Sequence, residues 1–169
     1  MSGLAAAVVV VVAGTGGTAA ATPSAKAAPL PVFIQNFSLF QCLDQHFDAA
    51  GQPTVLVFGW PRPCHWQGNQ QWRFYPDPRY NNAYKIVNER RGWCLSHAGG
   101  RDGRVYAELC VDHLKQIWVP RVWPSTGRNR LQNLWTNQCL ALNADIDVFG
   151  FDCDERYWTQ HWSWNTIPV

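Results

Sequence analysis

The sequence lacks most features that would mark an enzyme or a metalloprotein. No C-x-x-C pair occurs, and the cysteine separations do not fit a compact tetrahedral zinc site. The five histidines show no spacing typical of metal ligands, and no segment has the G-x-S-x-G form that presents a catalytic serine. We therefore expect no metal, no cofactor and no catalytic activity.

Charge and long apolar runs are also scarce. The 14 basic and 12 acidic residues nearly cancel, and no nucleic-acid-binding fingerprint accompanies the scattered basic residues, which argues against a nucleic-acid partner. The charge is uneven, however: residues 79–130 carry ten basic against four acidic residues, and residues 131–169 carry one against five. Solvated faces explain this pattern, and so does a dipolar surface that orients a partner.

The only long apolar run lies at the amino terminus, from Leu4 to Ala13, and a small-x-small sequence follows it at Ala25-Lys26-Ala27. This combination predicts a signal peptide over residues 1–27, since the run is too short for a membrane span. We expect no other span, one domain over residues 28–169, and a secreted, extracellular protein. The Ala-, Gly- and Val-rich leader is typical of a GC-rich bacterium.

One pattern occurs three times along the rest of the chain. Each copy has an aliphatic residue followed two positions later by Asn, then Cys-Leu, a second Cys and finally Gln-x-Trp. The three tryptophans are 46 and 44 residues apart, so one supersecondary unit is used three times. We place the repeats at approximately residues 32–77, 84–123 and 130–166. The Gln-x-Trp residues are Gln70, Trp72, Gln116, Trp118, Gln160 and Trp162.

The six cysteines fall two in each repeat. Export to an oxidising compartment favours disulfides, and equivalent positions in equivalent units should meet equivalent partners. The predicted bridges are therefore Cys42 with Cys64, Cys94 with Cys110, and Cys139 with Cys153.

Proline and glycine interrupt nearly every apolar run, and helical periodicity is hard to find. Short segments rich in β-branched and aromatic residues predict about four strands in each repeat and an all-β fold. We expect the three repeat tryptophans to fill one shared core and the three glutamines to pair with backbone groups outside the strand ladders. The predicted strands include residues 54–58, 84–87, 104–107 and 148–151.

Together these residues resemble the ricin B chain-like lectins, and the resemblance covers essentially all of residues 28–169. It implies a β-trefoil with twelve short strands in pseudo-threefold symmetry and shallow sugar pockets, with one pocket available to each repeat. In that family a pocket combines an Asp just after the Cys-x pair, an aromatic residue two before the second Cys, and an Asn just before Gln-x-Trp. A carboxylate and an amide can grip adjacent hydroxyls, while the C–H face of a sugar ring lies on the aromatic ring.

The first repeat matches this pattern in its polar residues. Asp44 follows Cys-Leu, and Asn69 precedes Gln70. The aromatic position is displaced, which we interpret as a four-residue insertion within residues 59–63. An alignment of Val55 with the strand valines of the other repeats then favours Phe58 as the stacking ring, with Trp60 as the alternative.

The other two repeats depart from the pattern. The second keeps none of the pocket residues, and the third keeps only the aromatic ring. The residues at the three positions are Ser96, Glu108 and Lys115 in the second repeat and Ala141, Phe151 and Thr159 in the third.

The resemblance thus predicts a secreted, non-catalytic lectin with a single sugar site in the first repeat and carbohydrate partners such as galactose-type glycans. The alternative is a degenerate trefoil that binds a protein partner, for example as a non-catalytic subunit of a secreted toxin or adhesin. The ten tryptophans exceed what one core needs, and exposed aromatic clusters mark interaction surfaces. Burial of the additional tryptophans by the insertion and by an N-terminal arm, residues 29–33, would explain them equally well.

Overall fold

A computed structural model describes residues 28–61, 63–100 and 103–166. The predicted signal peptide, residues 1–27, lies outside the described residues. The described part consists of short strands joined by turns and three single 3-10 turns, and it contains no helix long and apolar enough to cross a membrane. The strands are β1 (Val32–Asn36), β2 (Cys42–Phe47), β3 (Pro53–Trp60), β4 (Gln71–Pro76), β5 (Tyr84–Asn88), β6 (Cys94–His97), β7 (Val105–Glu108), β8 (Ile117–Val122), β9 (Asn129–Asn133), β10 (Cys139–Leu142), β11 (Val148–Phe151) and β12 (Trp162–Thr166).

Six of these strands close into a barrel. The ring of antiparallel pairs runs β1, β4, β5, β8, β9, β12 and back to β1. The remaining strands form three hairpins, β2–β3, β6–β7 and β10–β11. The first two hairpins contact each other where β3 pairs with β7. Isolated bridges join each of them to the third hairpin, from Phe58 to Asp147 and from Arg104, just before β7, to Phe149. This is the β-trefoil that the resemblance to the ricin B chain-like lectins implied.

The core is built from one equivalent residue of each repeat at every level. Strand alternation turns these side chains inward, and all of them are almost completely buried. The four sets are Ile34, Ile86 and Leu131; Leu43, Leu95 and Leu140; Val57, Val105 and Val148; and Trp72, Trp118 and Trp162. The prediction that the three repeat tryptophans fill a shared core is confirmed.

Each core tryptophan also fixes the hairpin of its own repeat. The indole N–H donates to the carbonyl of the leucine in Cys-Leu, which satisfies a buried acceptor that no strand pairs. The pairs are Trp72 with Leu43 (3.0 Å), Trp118 with Leu95 (2.8 Å) and Trp162 with Leu140 (2.8 Å).

The repeat glutamines bind the segment that follows the second cysteine. In every copy the Gln carbonyl oxygen accepts from the backbone N–H of the next residue after that cysteine. The donors are His65 to Gln70 (2.9 Å), Val111 to Gln116 (2.7 Å) and Asp154 to Gln160 (3.0 Å). Pairing of these glutamines with backbone groups is therefore confirmed.

The asparagines that open the repeats join one repeat to the next. Each side-chain amide donates to the carbonyl of the residue just before Gln-x-Trp in the preceding repeat, and the first repeat receives the last, so the ring of contacts closes. The pairs are Asn36 with Thr159 (2.8 Å), Asn88 with Asn69 (2.9 Å) and Asn133 with Lys115 (2.9 Å). The residue before Gln is thus held at a fixed place beside each hairpin.

The three predicted disulfides are confirmed: Cys42 with Cys64, Cys94 with Cys110, and Cys139 with Cys153. Each bridge links the start of a hairpin to the segment just after it. Loops of these lengths predict about 3 kcal/mol of stabilisation per bridge, chiefly by restricting the unfolded chain.

Candidate functional site

The fold brings the polar residues predicted for the first repeat into direct contact. The carboxylate of Asp44 accepts from the side-chain amide of Asn69 at 2.8 and 3.0 Å and from that of Gln70 at 2.9 Å. Asp44 comes from strand β2, and the two amides come from the 3-10 turn Gly68–Gln70, which packs beside that strand. Residues that are 25 positions apart in the sequence therefore form one polar cluster.

A residue that sequence reasoning overlooked completes this cluster. His65 follows the second cysteine, and its Nε2 lies 3.2 Å from the Oδ2 atom of Asp44. Burial raises the pKa of Asp44, although hydrogen bonds from Gln70 and Asn69 and the nearby His65 act in the opposite direction. A histidine directly after the second cysteine was the available signal, because that residue's backbone is held by the repeat glutamine.

One polar atom of the cluster has no partner. The Oδ1 atom of Asn69 is buried, yet it accepts no hydrogen bond. The amide orientation follows from the Asp44 carboxylate, which requires the Nδ2 donor on its own side. Within the described residues Asn69 therefore has a buried acceptor without a partner, which is uncommon in folded proteins.

The register of the first hairpin corrects the sequence alignment of the stacking position. Strand pairing places Val57, not Val55, at the level of Val105 and Val148, because Gln45 faces Val57 as His97 faces Val105. The shift arises because the connection from Gln45 to Val57 is longer than the equivalent connections of the other repeats and contains the irregular pairing between Gln45 and Phe47.

The corrected register changes which aromatic residue occupies the family position. Trp60 faces Cys42 just as Phe151 faces Cys139, whereas Phe58 faces Asp44 just as Phe149 faces Ala141. Trp60 lies four residues before Cys64 and Phe151 two residues before Cys153, so the connection carries two extra residues rather than four.

Both predicted rings lie on the Asp44 side of the hairpin, since facing residues of an antiparallel pair project to the same face. Trp60 is 38% exposed, and the centre of its ring lies 4.9 Å from the His65 ring and 5.9 Å from the Phe58 ring. Phe58 is half-buried. The exposed ring available beside the polar cluster is therefore that of Trp60.

The equivalent place in the second repeat contains a different polar network. Glu108 Oε1 lies 2.9 Å from the Lys115 ammonium and accepts from the Gln116 amide at 3.0 Å. Burial opposes ionisation, but hydrogen bonds from Lys115, Ser96 and Gln116 together hold the pKa of Glu108 below its usual value. The family residues are absent here, and an ion pair occupies their place. Opposite charges at the stacking and amide positions were the sequence signal for it.

In the third repeat the place of the polar cluster is apolar. Ala141 is fully buried where Asp44 stands in the first repeat, and Phe151 lines a cavity beside it. The Gln160 amide donates to the Asp152 carbonyl at 2.8 Å instead of to a carboxylate. The three repeats thus share a scaffold but present three chemically different surfaces.

Comparisons with known proteins agree with this geometry. Residues 68–148 match the model of a family described as ricin-type beta-trefoil lectin domain-like. The matched residues make up just under half of the chain, so the match shows a similarity to this family. The resemblance drawn from the repeat residues is confirmed, and a comparison with curated protein sequences gives no significant match.

Similar solved structures support the fold of this trefoil. The Macrolepiota procera ricin B-like lectin in complex with lactose has a TM-score of 0.67 at 18% identity, covering 85% of this chain and 100% of that one. The designed 3-fold symmetric protein ThreeFoil has a TM-score of 0.69 at 17% identity, covering 81% of this chain and 99% of that one. A mosquitocidal holotoxin has a TM-score of 0.67 at 19% identity, covering 85% of this chain but only 18% of that one. The TM-scores establish a common fold, and at identities this low the similarity shows the fold alone.

Proposed function

We propose that this trefoil is a secreted carbohydrate-binding module that holds a sugar through its first repeat and catalyses no reaction. The observation that carries the proposal is the contact between the buried Asp44 carboxylate and the side chains of Asn69 and Gln70, beside the exposed ring of Trp60. In the second and third repeats the corresponding positions have lost this combination, which leaves a single site.

The chemistry of this cluster suits a pair of neighbouring hydroxyls. Gln70 and Asn69 orient the Asp44 carboxylate, whose oxygens still have lone pairs for hydroxyl donors. Exposure of the buried Oδ1 of Asn69 on ligand binding would give a second hydroxyl its acceptor. A pyranose held in this way can place its C–H face on the Trp60 ring, which supplies apolar contact without a further polar partner.

A ligand that binds the Asp44 carboxylate must share it with His65. It approaches only the Oδ2 atom of Asp44, while Oδ1 receives only Asn69. We therefore place the first hydroxyl contact at Oδ1. Galactose-type glycans are the first class to test, since lactose is the ligand of the Macrolepiota procera lectin.

The test is a glycan array followed by calorimetry with the best ligand. We expect Asp44→Ala to abolish measurable binding, because the variant removes the hydroxyl acceptor and leaves two amide donors without a partner. Asp145→Ala, which removes an exposed carboxylate with no hydrogen bond in the described structure, is the matched control and should bind like the parent. Unchanged affinity of a folded Asp44→Ala protein for its glycan would refute the site.

A second candidate function is that of a protein-binding subunit in a secreted assembly. Two repeats lack the family's polar sugar-binding residues, and Trp135 and Trp158 remain 45% and 62% exposed. The mosquitocidal holotoxin shows a trefoil of this kind as a small part of a larger chain. Stoichiometric capture of one protein from the medium of the secreting cell, with no binding on the glycan array, would favour this function over the first.

A further inference from the structure

The third repeat contains a cavity that the sugar site of the first repeat does not explain. Its volume is about 210 Å³, and its walls include Phe149, Phe151 and Tyr157 together with Ala141 and Thr159. This is several times the roughly 30 Å³ share of one water molecule in the liquid, so it has room for a group of several heavy atoms.

The Phe151 ring stands nearly at right angles to each of the other two aromatic rings. The Phe151 ring lies 6.4 Å from that of Phe149 at 75° and 5.6 Å from that of Tyr157 at 77°. Strand β11 supplies both phenylalanines and fixes their spacing, while Tyr157 comes from the loop that follows and is 46% exposed. Walls arranged in this way can present ring faces to one bound group from more than one direction.

The cavity offers little to the hydroxyls of a sugar. Ala141 supplies no carboxylate, and both polar atoms of Gln160 are engaged by the backbone of Asp152 and Asp154. Only the hydroxyls of Thr159 and Tyr157 remain as polar groups of the lining. Selectivity at this place must therefore come from the aromatic rings.

The loop beside the cavity is rich in carboxylates. Between Phe151 and Tyr157 it carries Asp152, Asp154 and Glu155, of which Asp154 is paired with Arg156 and Asp152 lines a separate pocket. Arg104, which is bridged to Phe149 across the sheet, also lines a separate pocket, together with Asp147. The aromatic faces favour a positively charged ligand because they carry negative potential, and the acidic loop adds to this preference.

We infer that this aromatic cavity of the third repeat, formed by Phe149, Phe151 and Tyr157, binds a quaternary ammonium group such as that of choline. The ligand places its methyl groups against the rings and its charge in their negative potential, and it needs no hydrogen bond. The site is independent of Asp44 and lies in a different repeat, so it adds a second ligand class to the proposed carbohydrate binding.

The experiment compares choline with its neutral isostere 3,3-dimethyl-1-butanol, titrated into the protein at constant ionic strength and followed by NMR chemical shifts. We expect choline to bind about five- to tenfold more tightly than the alcohol, because only the ammonium gains from the ring faces. Equal affinity of the two probes, or no binding of choline at tens of millimolar, would overturn the inference.

Variants locate the site. Tyr157→Ala should weaken choline binding at least fivefold, and Tyr157→Phe should keep it, since the phenol makes no hydrogen bond in the described structure. Phe151→Leu provides a second test that preserves apolar volume while removing the ring. Asp44→Ala should leave choline binding unchanged, so a failure of the sugar site and a failure of this site give different results. Choline binding that survives both ring substitutions would place it elsewhere and refute the inference.

Discussion

Replacement of Trp60 by alanine tests which ring contacts the sugar. The corrected register places Trp60 at the stacking position and Phe58 opposite Asp44, deeper in the hairpin. Because the Trp60 ring is 38% exposed and contacts only the His65 and Phe58 rings among aromatic groups, its removal should change the free energy of unfolding by less than about 1 kcal/mol.

The expected loss lies in binding instead. A ring that stacks on a ligand contributes about 0.5–1.5 kcal/mol beyond its area, so Trp60→Ala should weaken glycan affinity about three- to tenfold. Trp60→Phe should recover most of that affinity, because it restores an aromatic face at the same position. The measurement is isothermal titration calorimetry with the ligand selected on the array.

Phe58→Ala is the comparison that decides between the two rings. Phe58 is half-buried, so its truncation should lower stability by about 1–2 kcal/mol while changing affinity less than twofold. If Phe58→Ala weakened binding more than Trp60→Ala, with both proteins folded, the register-based assignment would be refuted.

Three further predictions concern stability. Trp118→Phe should lower the free energy of unfolding by about 2–4 kcal/mol, because it leaves a cavity and a buried carbonyl without its donor. The control Trp135→Phe, at an exposed position, should change it by less than about 0.5 kcal/mol, as measured by urea unfolding; similar losses in both variants would show that the indole hydrogen bond contributes nothing. Hydrogen bonds from Arg79 lower the pKa of Asp77 to about 2, so this carboxylate stabilises the fold above its unfolded pKa of 3.8 and loses that effect as the pH falls toward 2; Asp77→Asn should remove this part of the acid sensitivity. Burial raises the pKa of Asp44 above 3.8, so the effect of pH on stability has the opposite sign. The contribution of Asp44 to the free energy of unfolding declines as the pH rises from its unfolded pKa to its folded pKa. The difference in unfolding free energy between the parent and Asp44→Asn should show this slope, and its absence would contradict the burial argument.

Much of the fold could be predicted because repetition limits the solutions. A chain that uses one unit three times must place equivalent side chains at equivalent depths, which led from Gln-x-Trp to a shared tryptophan core and from two cysteines per repeat to the observed bridges. The strand predictions at residues 84–87 and 148–151 also agree closely with β5 and β11, since turn residues mark their ends.

The candidate site was predictable only in part. Asp44 and Asn69 could be predicted from the pocket pattern of the family that the chain resembles, which places them beside Cys-Leu and Gln-x-Trp, and their contact follows because the disulfide and the core tryptophan fix both segments. The stacking ring could not, since counting back from Cys64 fails when a bulge and two added residues shift the strand. His65 escaped notice for a related reason: its approach to Asp44 depends on how the connection after Cys64 folds back on strand β2.

The threefold scaffold, its disulfides and its tryptophan core could be predicted from the sequence alone, because they depend on spacings that all three repeats keep. The tertiary structure was needed to show what each repeat has at its pocket position: a buried, amide-held carboxylate beside Trp60, an ion pair of Glu108 with Lys115, and an aromatic cavity around Phe151. The physical reason is that a surface site is made by side chains from neighbouring strands and loops. Their meeting depends on register and loop path, which vary between repeats while the core positions do not.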